Sequence, residues 1–449
     1  MSWFILKIMV NLSPAFGTDG VRGKVGTELT SSMVKSLGLA AAPHLNSDQI
    51  VIGRDTRESG DSFEAALAQG FSEGGVEPIL LGVTPTPAVA HIASTQEIAG
   101  AMVSASHNPW WDNGIKLFAS GGYKLDDAVQ KKIEETWHKN LLVDVSEVKR
   151  FRSGSSDSWA EAVKESVDSM AFEGIKIALD CANGSMSEFA PQIMRELGAQ
   201  VEVLNVSPNG RNINERCGAT DLNSLQEFVT HVSANVGFAF DGDGDRVIAV
   251  SSEGKILDGD HLLALIAVDR LDRGQLNDNT VVITVMANLG LRKALIQRGI
   301  NLYETPVGDR YVLEALQSNK WDLGGEQSGH IVISDFATTG DGLLTAVQAL
   351  AAAQRRKIEI GSWAKELVQK SPQVLLNLSV TKSGVDLVEQ ASDLIEEMKQ
   401  KLGDNGRVVV RPSGTEPLVR IMVEALDEFT AQEIASSLEV SIRALDNTP

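Results

Sequence analysis

Residues 98–116 read Ile98-Ala99-Gly100-Ala101-Met102-Val103-Ser104-Ala105-Ser106-His107-Asn108-Pro109-Trp110-Trp111-Asp112-Asn113-Gly114-Ile115-Lys116. The first six are apolar and too few for a helix, so they read as a buried strand. Pro109 stops regular structure just beyond them. The hydroxyl of Ser106, the imidazole of His107, the amide of Asn108 and the amine of Lys116 therefore crowd the mouth of one strand. An isolated Ser-His pair is usually an ordinary polar turn in which the serine bonds locally. Here the same arrangement, an apolar strand delivering a polar loop, recurs along the chain.

Outward from this stretch, helices alternate with short apolar strands. Thr30 can cap a helix with Met33, Val34, Leu37 and Ala41 on its apolar side. A strand at 49–53 leads into Arg54-Asp55-Thr56-Arg57, and Asp61 with Glu64 has the spacing of a capping box for a helix carrying Phe63, Leu67 and Phe71. Residues 76–82 form another strand. A Ser- and Gly-rich stretch at 152–158 reads as a linker. Strands follow at 175–180, 201–204 and 236–240, the last running into Asp241-Gly242-Asp243-Gly244-Asp245-Arg246. A third unit opens near Asp258, with a strand at 280–285 and the loop Gly324-Gly325-Glu326-Gln327-Ser328-Gly329-His330. Such alternation predicts α/β layers with mixed, mostly parallel sheets and active loops at the carboxyl ends of strands.

The last part differs. Strands at 374–380, 407–410 and 418–425, a helix over 385–402 and a final helix started by a Thr430/Glu433 capping box predict a smaller α+β domain. The expected division is 1–155, 156–257, 258–371 and 372–449.

A chain of 449 residues is too long for one ordinary core. With 43% hydrophobic and 22% charged residues it has the composition of a soluble globular protein. No apolar run is long enough to span a bilayer, so no membrane partner is expected. Residues 3–10 are interrupted by Lys7 and lack a small-residue cleavage site, and read as a first strand, not a signal peptide. Two cysteines, Cys181 and Cys217, are too few for a disulfide framework, which fits a reducing cytoplasm. A formal charge of −20 argues against a nucleic-acid binder, because phosphate backbones would be repelled. A negatively charged small substrate would need positive residues gathered locally.

Asp241, Asp243 and Asp245 alternate with glycines, so the backbone can fold tightly and turn three carboxylates toward one point. So close, they would repel unless a divalent cation lay between them. An EF-hand calcium loop fails on spacing: its sixth position is Arg246 instead of glycine and its twelfth Ser252 instead of glutamate. Magnesium, one ion with an incomplete protein shell, leaves room for a phosphate oxygen. A phosphoserine at Ser106, carrying about −1.5 to −2 charge, would be a natural fourth ligand, with Arg246 neutralising its other oxygens. Ser413-Gly414-Thr415, flanked by Arg411 and Arg420, offers charge-assisted donors on a glycine-permitted turn, which suits a phosphate. Lys116, His107 and His330 are the candidates for moving protons. Arg22 and Arg310 are further cations for a cleft, and Arg54 and Arg57 could equally pair with Asp55 or Glu58.

Five motifs occur in order at compatible spacings: Phe16-Gly17-Thr18-Asp19-Gly20-Val21-Arg22-Gly23, the Ser106 stretch, the aspartate loop, Gly324 to His330, and Arg411-Pro412-Ser413-Gly414-Thr415-Glu416-Pro417. Over nearly the whole chain they resemble the α-D-phosphohexomutase superfamily, most closely its amino-sugar branch. The resemblance implies three related α/β domains plus a smaller α+β domain around a central cleft. It implies a phosphoserine at Ser106, magnesium on Asp241, Asp243 and Asp245, sugar-hydroxyl contacts from Glu326 and Ser328, and a grip on the non-reacting phosphate from the Ser413 loop. It implies interconversion of glucosamine 6-phosphate and glucosamine 1-phosphate through a bisphosphorylated intermediate, in support of UDP-N-acetylglucosamine synthesis. Ser106 would be primed by a sugar bisphosphate, a kinase or autophosphorylation, and the enzyme would be a monomer or homodimer with motion between its last two domains. Met9 would be an alternative start. Trp110-Trp111 and Asp221 depart from the branch's usual residues. A phosphomannomutase/phosphoglucomutase, a silent sugar-phosphate binder and a phosphatase remain the alternatives.

Overall fold

The computed structural model describes residues 15–17, 19–139, 143–144, 150–413 and 417–447. The expected first strand at 3–10, Met9, and the loop residues Gly414 and Thr415 lie outside the described residues.

The strand that delivers Ser106 lies within a seven-stranded sheet. Its members are β1 (Phe16–Gly17), β2 (Gly20–Lys24), β3 (Gln49–Arg54), β4 (Glu77–Val83), β5 (Ala99–Val103), β6 (Asp112–Phe118) and β7 (Arg152–Ser153), in spatial order 1-2-6-5-3-4-7. β3 pairs in parallel with β4 and β5, and β6 returns antiparallel beside β5. Every residue of β5 is buried, as expected of a strand covered on both faces. Two helices on this sheet, Ser31–Ala41 and Gly60–Glu73, touch backbone to backbone: a Cβ on Gly70 would lie 2.1 Å from the Lys35 carbonyl oxygen.

Thr30 caps the first of these helices, its hydroxyl accepting the Met33 N–H. The Asp61/Glu64 box is corrected. That helix begins at Gly60 after Ser59, and both acids instead engage the Arg54 guanidinium at the end of β3. The linker at 152–158 is also corrected. Arg152–Ser153 adds to β4 as an edge strand and a helix starts at Asp157, anchored by a 2.6 Å bond between Ser156 and Thr84 hydroxyls.

The second sheet holds β8 (Lys176–Asp180), β9 (Gln200–Leu204), β10 (Val236–Phe240), β11 (Val247–Ser251) and β12 (Ile256–Leu257), in order 12-11-10-8-9. The third holds β13 (Thr280–Thr284), β14 (Asn301–Thr305), β15 (Leu323–Gly325) and β16 (Ile331–Ile333), in order 14-13-15-16. One design recurs in the three sheets: a buried strand with a parallel neighbour ends in the polar loop, and the next strand returns antiparallel beside it. These pairs are β5–β6, β10–β11 and β15–β16.

Residues 367–447 form a second compact unit together with 285–299; the remainder forms the first. Within the second unit β17 (Gln373–Ser379), β18 (Arg407–Pro412) and β19 (Leu418–Glu424) make an antiparallel sheet in order 17-19-18. Ala431, Ile434, Ala435, Leu438 and Ile442 of helix Glu428–Asn447 are buried in its core. Segment 285–299 is held by Glu424, whose carboxylate accepts from Asn288 Nδ2 and the Leu289 N–H and pairs with Arg407. Two expectations are corrected. The helix over 385–402 is two helices, Gly384–Gln390 and Ser392–Leu402, meeting at Ala391. The final helix is capped by Asp427, which accepts the Thr430 N–H, while Glu433 pairs with Lys401. Among the described residues no helix is long and apolar enough to cross a membrane.

Candidate active site

The aspartate loop is a hairpin turn between two fully buried strands, β10 and β11. Gly244 adopts φ +73°, and a Cβ on Gly242 would lie 2.7 Å from the Ser106 carbonyl oxygen. One glycine thus makes the turn and the other admits the neighbouring loop. Asp241, Asp243 and Asp245 are all buried, each with an oxygen within 4.8 Å of the others'.

Lys116, on β6, supplies their counter-charge. Its ammonium lies 2.8 Å from Asp243 Oδ2, 2.8 Å from Asp245 Oδ2 and 3.0 Å from Asp19 Oδ2. Burial pulls the Lys116 pKa down, but the three carboxylates reverse this and hold it well above the lysine range. Burial likewise pushes Asp245 up, and Lys116, His330 and Arg246 together hold it well below the carboxylate range. Asp241 goes the other way: burial, Asp245 and Asp243 push it well up, against the Arg246 cation and the Ser106 hydroxyl. Lys116 contacts Asp243 and Asp245 through their Oδ2 atoms and leaves their Oδ1 atoms untouched. Asp243 Oδ1 and Asp245 Oδ1 are moreover buried without a hydrogen-bond partner, which is costly unless a cation meets them. An all-oxygen donor set with two orphaned carboxylate oxygens fits a hard divalent ion such as Mg2+.

Ser106 stands at the edge of this cluster. Its backbone is left-handed, φ +53°. Its hydroxyl donates to Asp241 Oδ2 at 2.7 Å and lies 3.3 Å from His107 Nδ1. Arg246 Nη1 is 3.5 Å from the same ring nitrogen. Burial, then the Arg246 and Arg22 cations, push the His107 pKa down to about 4, so the ring is neutral near pH 7. The buried His330 faces Asp245 Oδ1 at 3.8 Å and Asp309 Oδ2 at 3.6 Å, and its Nε2 accepts the Gly340 N–H at 3.2 Å. Burial opposes its charging, yet the two carboxylates raise its pKa.

The Glu326–Ser328 turn is tied to the aspartate hairpin by a 3.2 Å bond from the Val247 N–H to the Gly329 carbonyl. Glu326 Oε1 accepts the Gly308 N–H at 3.1 Å. A cavity of about 370 Å³ is lined by His107, Asp241, Arg246, Thr220, Gln327 and Ser328, among others. Arg22 joins the cluster through Asp19, 2.6 Å away. Arg310 does not: its guanidinium pairs with Asp127 and lines a different cavity with Leu125 and Gln317. In the second unit Arg411 and Arg420 face each other across β18 and β19. Burial and the Arg420 charge pull the Arg411 pKa down. Arg411 and Arg420 line a cavity of about 150 Å³, and Ser413 follows directly on β18.

Sequence reasoning missed Asp19, which neutralises Lys116, Lys124 and Arg22, although it sits inside a quoted motif. It also missed Thr86, whose hydroxyl donates to Asp243 Oδ2 at 2.6 Å; Pro85-Thr86-Pro87 reads only as punctuation. Trp110 and Trp111 meet edge to face, with Arg211 over Trp110 at 5.1 Å, and neither lines the cavity beside Ser106.

A buried serine beside a three-carboxylate cluster, on three sheets of one design, matches the family models for phosphoglucomutase/phosphomannomutase. Alpha/beta/alpha domain I matches residues 13–143, domain II 157–254, domain III 258–371 and the C-terminal domain 375–439. The chain belongs to this family and is a phosphohexomutase, an isomerase that moves a phosphoryl group. More particularly, it is 44% identical over 439 residues to the phosphoglucosamine mutase of Thermobifida fusca, covering 95% of this chain and 98% of that protein. It is 43% identical over 437 residues to that of Caldicellulosiruptor saccharolyticus, covering 94% and 97%. In fold it is similar to a phosphoglucomutase/phosphomannomutase family protein from Burkholderia thailandensis, with TM-score 0.80, 22% identity and 97% of each chain covered. The N-acetylphosphoglucosamine mutase of Aspergillus fumigatus, solved with GlcNAc-6P and magnesium, gives TM-score 0.68 at 17% identity over the whole of both chains.

Proposed function

We propose that this protein interconverts glucosamine 6-phosphate and glucosamine 1-phosphate through phosphorylated Ser106 and a bisphosphorylated sugar. The observation that carries the chemistry is the Ser106 hydroxyl, 2.7 Å from Asp241 Oδ2 at the rim of the carboxylate cluster. Full-length identity of 42–44% to phosphoglucosamine mutases carries the choice of sugar.

In the forward step a sugar hydroxyl attacks the phosphorus of phospho-Ser106. The new P–O bond to the sugar forms as the P–Oγ bond breaks; the sugar hydroxyl gives up its proton to a base and Ser106 Oγ takes one up. The bisphosphate then turns end for end, the other phosphoryl group passes to Ser106, and the isomer leaves. Because the phosphoryl group is loosely bound to both oxygens in the transition state, positioning and charge neutralisation do most of the work. Arg246 and Arg22 are the cations offered to its oxygens. Lys116, in contact with three carboxylates, neutralises charge there, and Lys116, His107 and His330 are the residues offered for moving protons. Mg2+ held by Asp241, Asp243, Asp245 and a phosphoserine oxygen would supply further neutralisation there. Ser328 and Glu326 orient the sugar, and Arg411, Ser413 and Arg420, with Gly414 and Thr415, grip the phosphate that is not reacting. A single phosphosugar substrate and a reducing cytoplasm complete the reading, with both thiols free and buried.

Turnover of glucosamine, glucose and mannose phosphates on one preparation tests it. Glucosamine phosphate should lead in kcat/KM by at least about tenfold. Equal or better use of glucose or mannose phosphate would move the protein to another branch of the family, and phosphate release without isomer exchange would make it a phosphatase.

A further inference from the structure

Arg57 does not line the cavity beside Ser106. It is nonetheless among the largest fully buried side chains of the molecule. All five of its N–H donors are used. Nε donates to Asp55 Oδ2 at 2.9 Å; Nη1 donates to the carbonyls of Pro109 and of Asp112, the latter at 2.9 Å; Nη2 donates to those of Ser106 and Asn108, both at 2.9 Å. Four carbonyls of the nucleophile loop thus converge on one guanidinium.

The counter-ion extends the same bracket. Asp55 Oδ2 also accepts the Ser104 hydroxyl at 2.6 Å, and Ser104 Oγ accepts the Ser106 N–H at 2.8 Å. Both peptide groups of Ser106 are therefore fixed, the N–H through Asp55 and Ser104, the carbonyl through Arg57. The turn carrying Arg57 is in turn docked on the second sheet's loops. Thr56 Oγ1 donates to the Asn183 carbonyl at 2.6 Å and the Glu58 N–H to the Gly210 carbonyl at 2.8 Å. From that side Asn214 Nδ2 donates to the Ser106 carbonyl at 2.9 Å and to that of Asn108 at 3.2 Å. Ser106 needs such a frame. It holds a left-handed φ that a non-glycine residue adopts only when its surroundings impose it, and its hydroxyl must meet Asp241 on a different sheet.

We propose that Arg57, with Asp55 and Asn214, is a positioning residue for phosphoryl transfer: it sets the nucleophile loop in register with the aspartate loop. This rests on Ser106 as the phosphoryl carrier. A planar five-donor fork can hold four carbonyls, and a lysine ammonium with three donors cannot. The loop would relax, and a displacement of about 1 Å at the reacting oxygen costs on the order of a hundredfold in rate.

The test compares Arg57→Lys, Asn214→Gly and Ser106→Ala in the full chain with Mg2+ and glucosamine phosphate. Asn214→Gly deletes the amide while tolerating the φ of +58° at that position. Arg57→Lys should fold, keep KM within about twofold and lose about a hundredfold in kcat and in the single-turnover loss of phosphate from the phosphorylated enzyme. Asn214→Gly should lose about tenfold in the same two rates, again without change in KM. An Arg57→Lys enzyme with wild-type kcat, or one altered only in KM, overturns the proposal. If Arg57→Lys does not fold, Asn214→Gly decides alone, and a wild-type kcat in it is refuting. Ser106→Ala separates the two readings: its activity would remove Ser106 as carrier, whereas a dead Ser106→Ala beside a fully active Arg57→Lys removes only the positioning role.

Discussion

Replacing Lys116 by Met tests the electrostatics of the cluster. The side chain is almost wholly out of water and is shared by Asp19, Asp243 and Asp245 at 2.8–3.0 Å. Methionine keeps much of the volume, so the loss is one of charge. Breaking a buried ion pair from one side costs about 3–5 kcal/mol, and solvent screening does not lessen it at this depth. The sign with pH follows from the acids. Asp245 and Asp19 have pKa values depressed in the folded state, so their contribution is present above the unfolded value of 3.8 and is lost as pH falls through the lower folded value. Without the ammonium, burial pushes both upward, and the variant takes up protons that the wild type refuses. The wild-type advantage should therefore be largest at pH 8 and shrink toward pH 5. Urea unfolding in EDTA at both pH values measures it. At one fixed Mg2+ concentration, a hundred times the wild-type dissociation constant, the wild type should gain about 2.7 kcal/mol, and the variant more, because its acids lack their ammonium and bind the ion more tightly, so the gap narrows. A loss below about 1 kcal/mol at pH 8 in EDTA, or one that does not narrow at pH 5, would refute this account of how the acids are held.

Other outcomes follow from single sites. Asp341, buried, accepts the Leu344 N–H and the Trp159 indole N–H, and burial pushes its pKa up to about 6. Its folded value lies above the unfolded 3.8, so its contribution is full below that value and is lost as pH rises through about 6. Asp341→Asn should change the unfolding free energy relative to wild type by about 2 kcal/mol between pH 4.5 and 7.5, in the variant's favour as pH rises; a constant difference by urea titration would contradict it. Asp243→Asn removes one orphaned oxygen and should lower kcat at least about a hundredfold and abolish Mg2+ binding by calorimetry; unchanged metal affinity would displace Asp243 from the ligand set. Arg420→Gln should raise KM about tenfold with kcat nearly unchanged, the sign of lost uniform binding in steady-state kinetics.

Much of the architecture was legible because hydrophobic period and turn chemistry are local. The strands before Ser106 and Asp241 could be read from short apolar runs ending in polar residues, and both are buried as expected; the strand before Glu326 could not, because two of its three residues, Gly324 and Gly325, read as the start of a loop. The expected capping boxes at Asp61 and Thr430 failed because spacing alone does not say which acid a nearby arginine or hydroxyl engages. The split at Ala391 left no period break, since both helices keep apolar residues inward. At the site, side chains with reactive chemistry were legible from their type. Those acting through the backbone were not: Arg57 looks like any loop arginine until four carbonyls are seen around it. Arg310, in the first turn of helix Asp309–Asn319, pairs here with Asp127, a partner that its sequence neighbours did not reveal.

The most direct measurement is peptide mass mapping of enzyme caught during turnover with glucosamine phosphate, set beside the activity of the Ser106→Ala protein. The account expects one phosphoryl group on the peptide bearing Ser106, labelled when the substrate phosphate is labelled, and no isomerisation by the variant. Phosphate found on another side chain, or isomerisation by an enzyme that lacks the Ser106 hydroxyl, would contradict it.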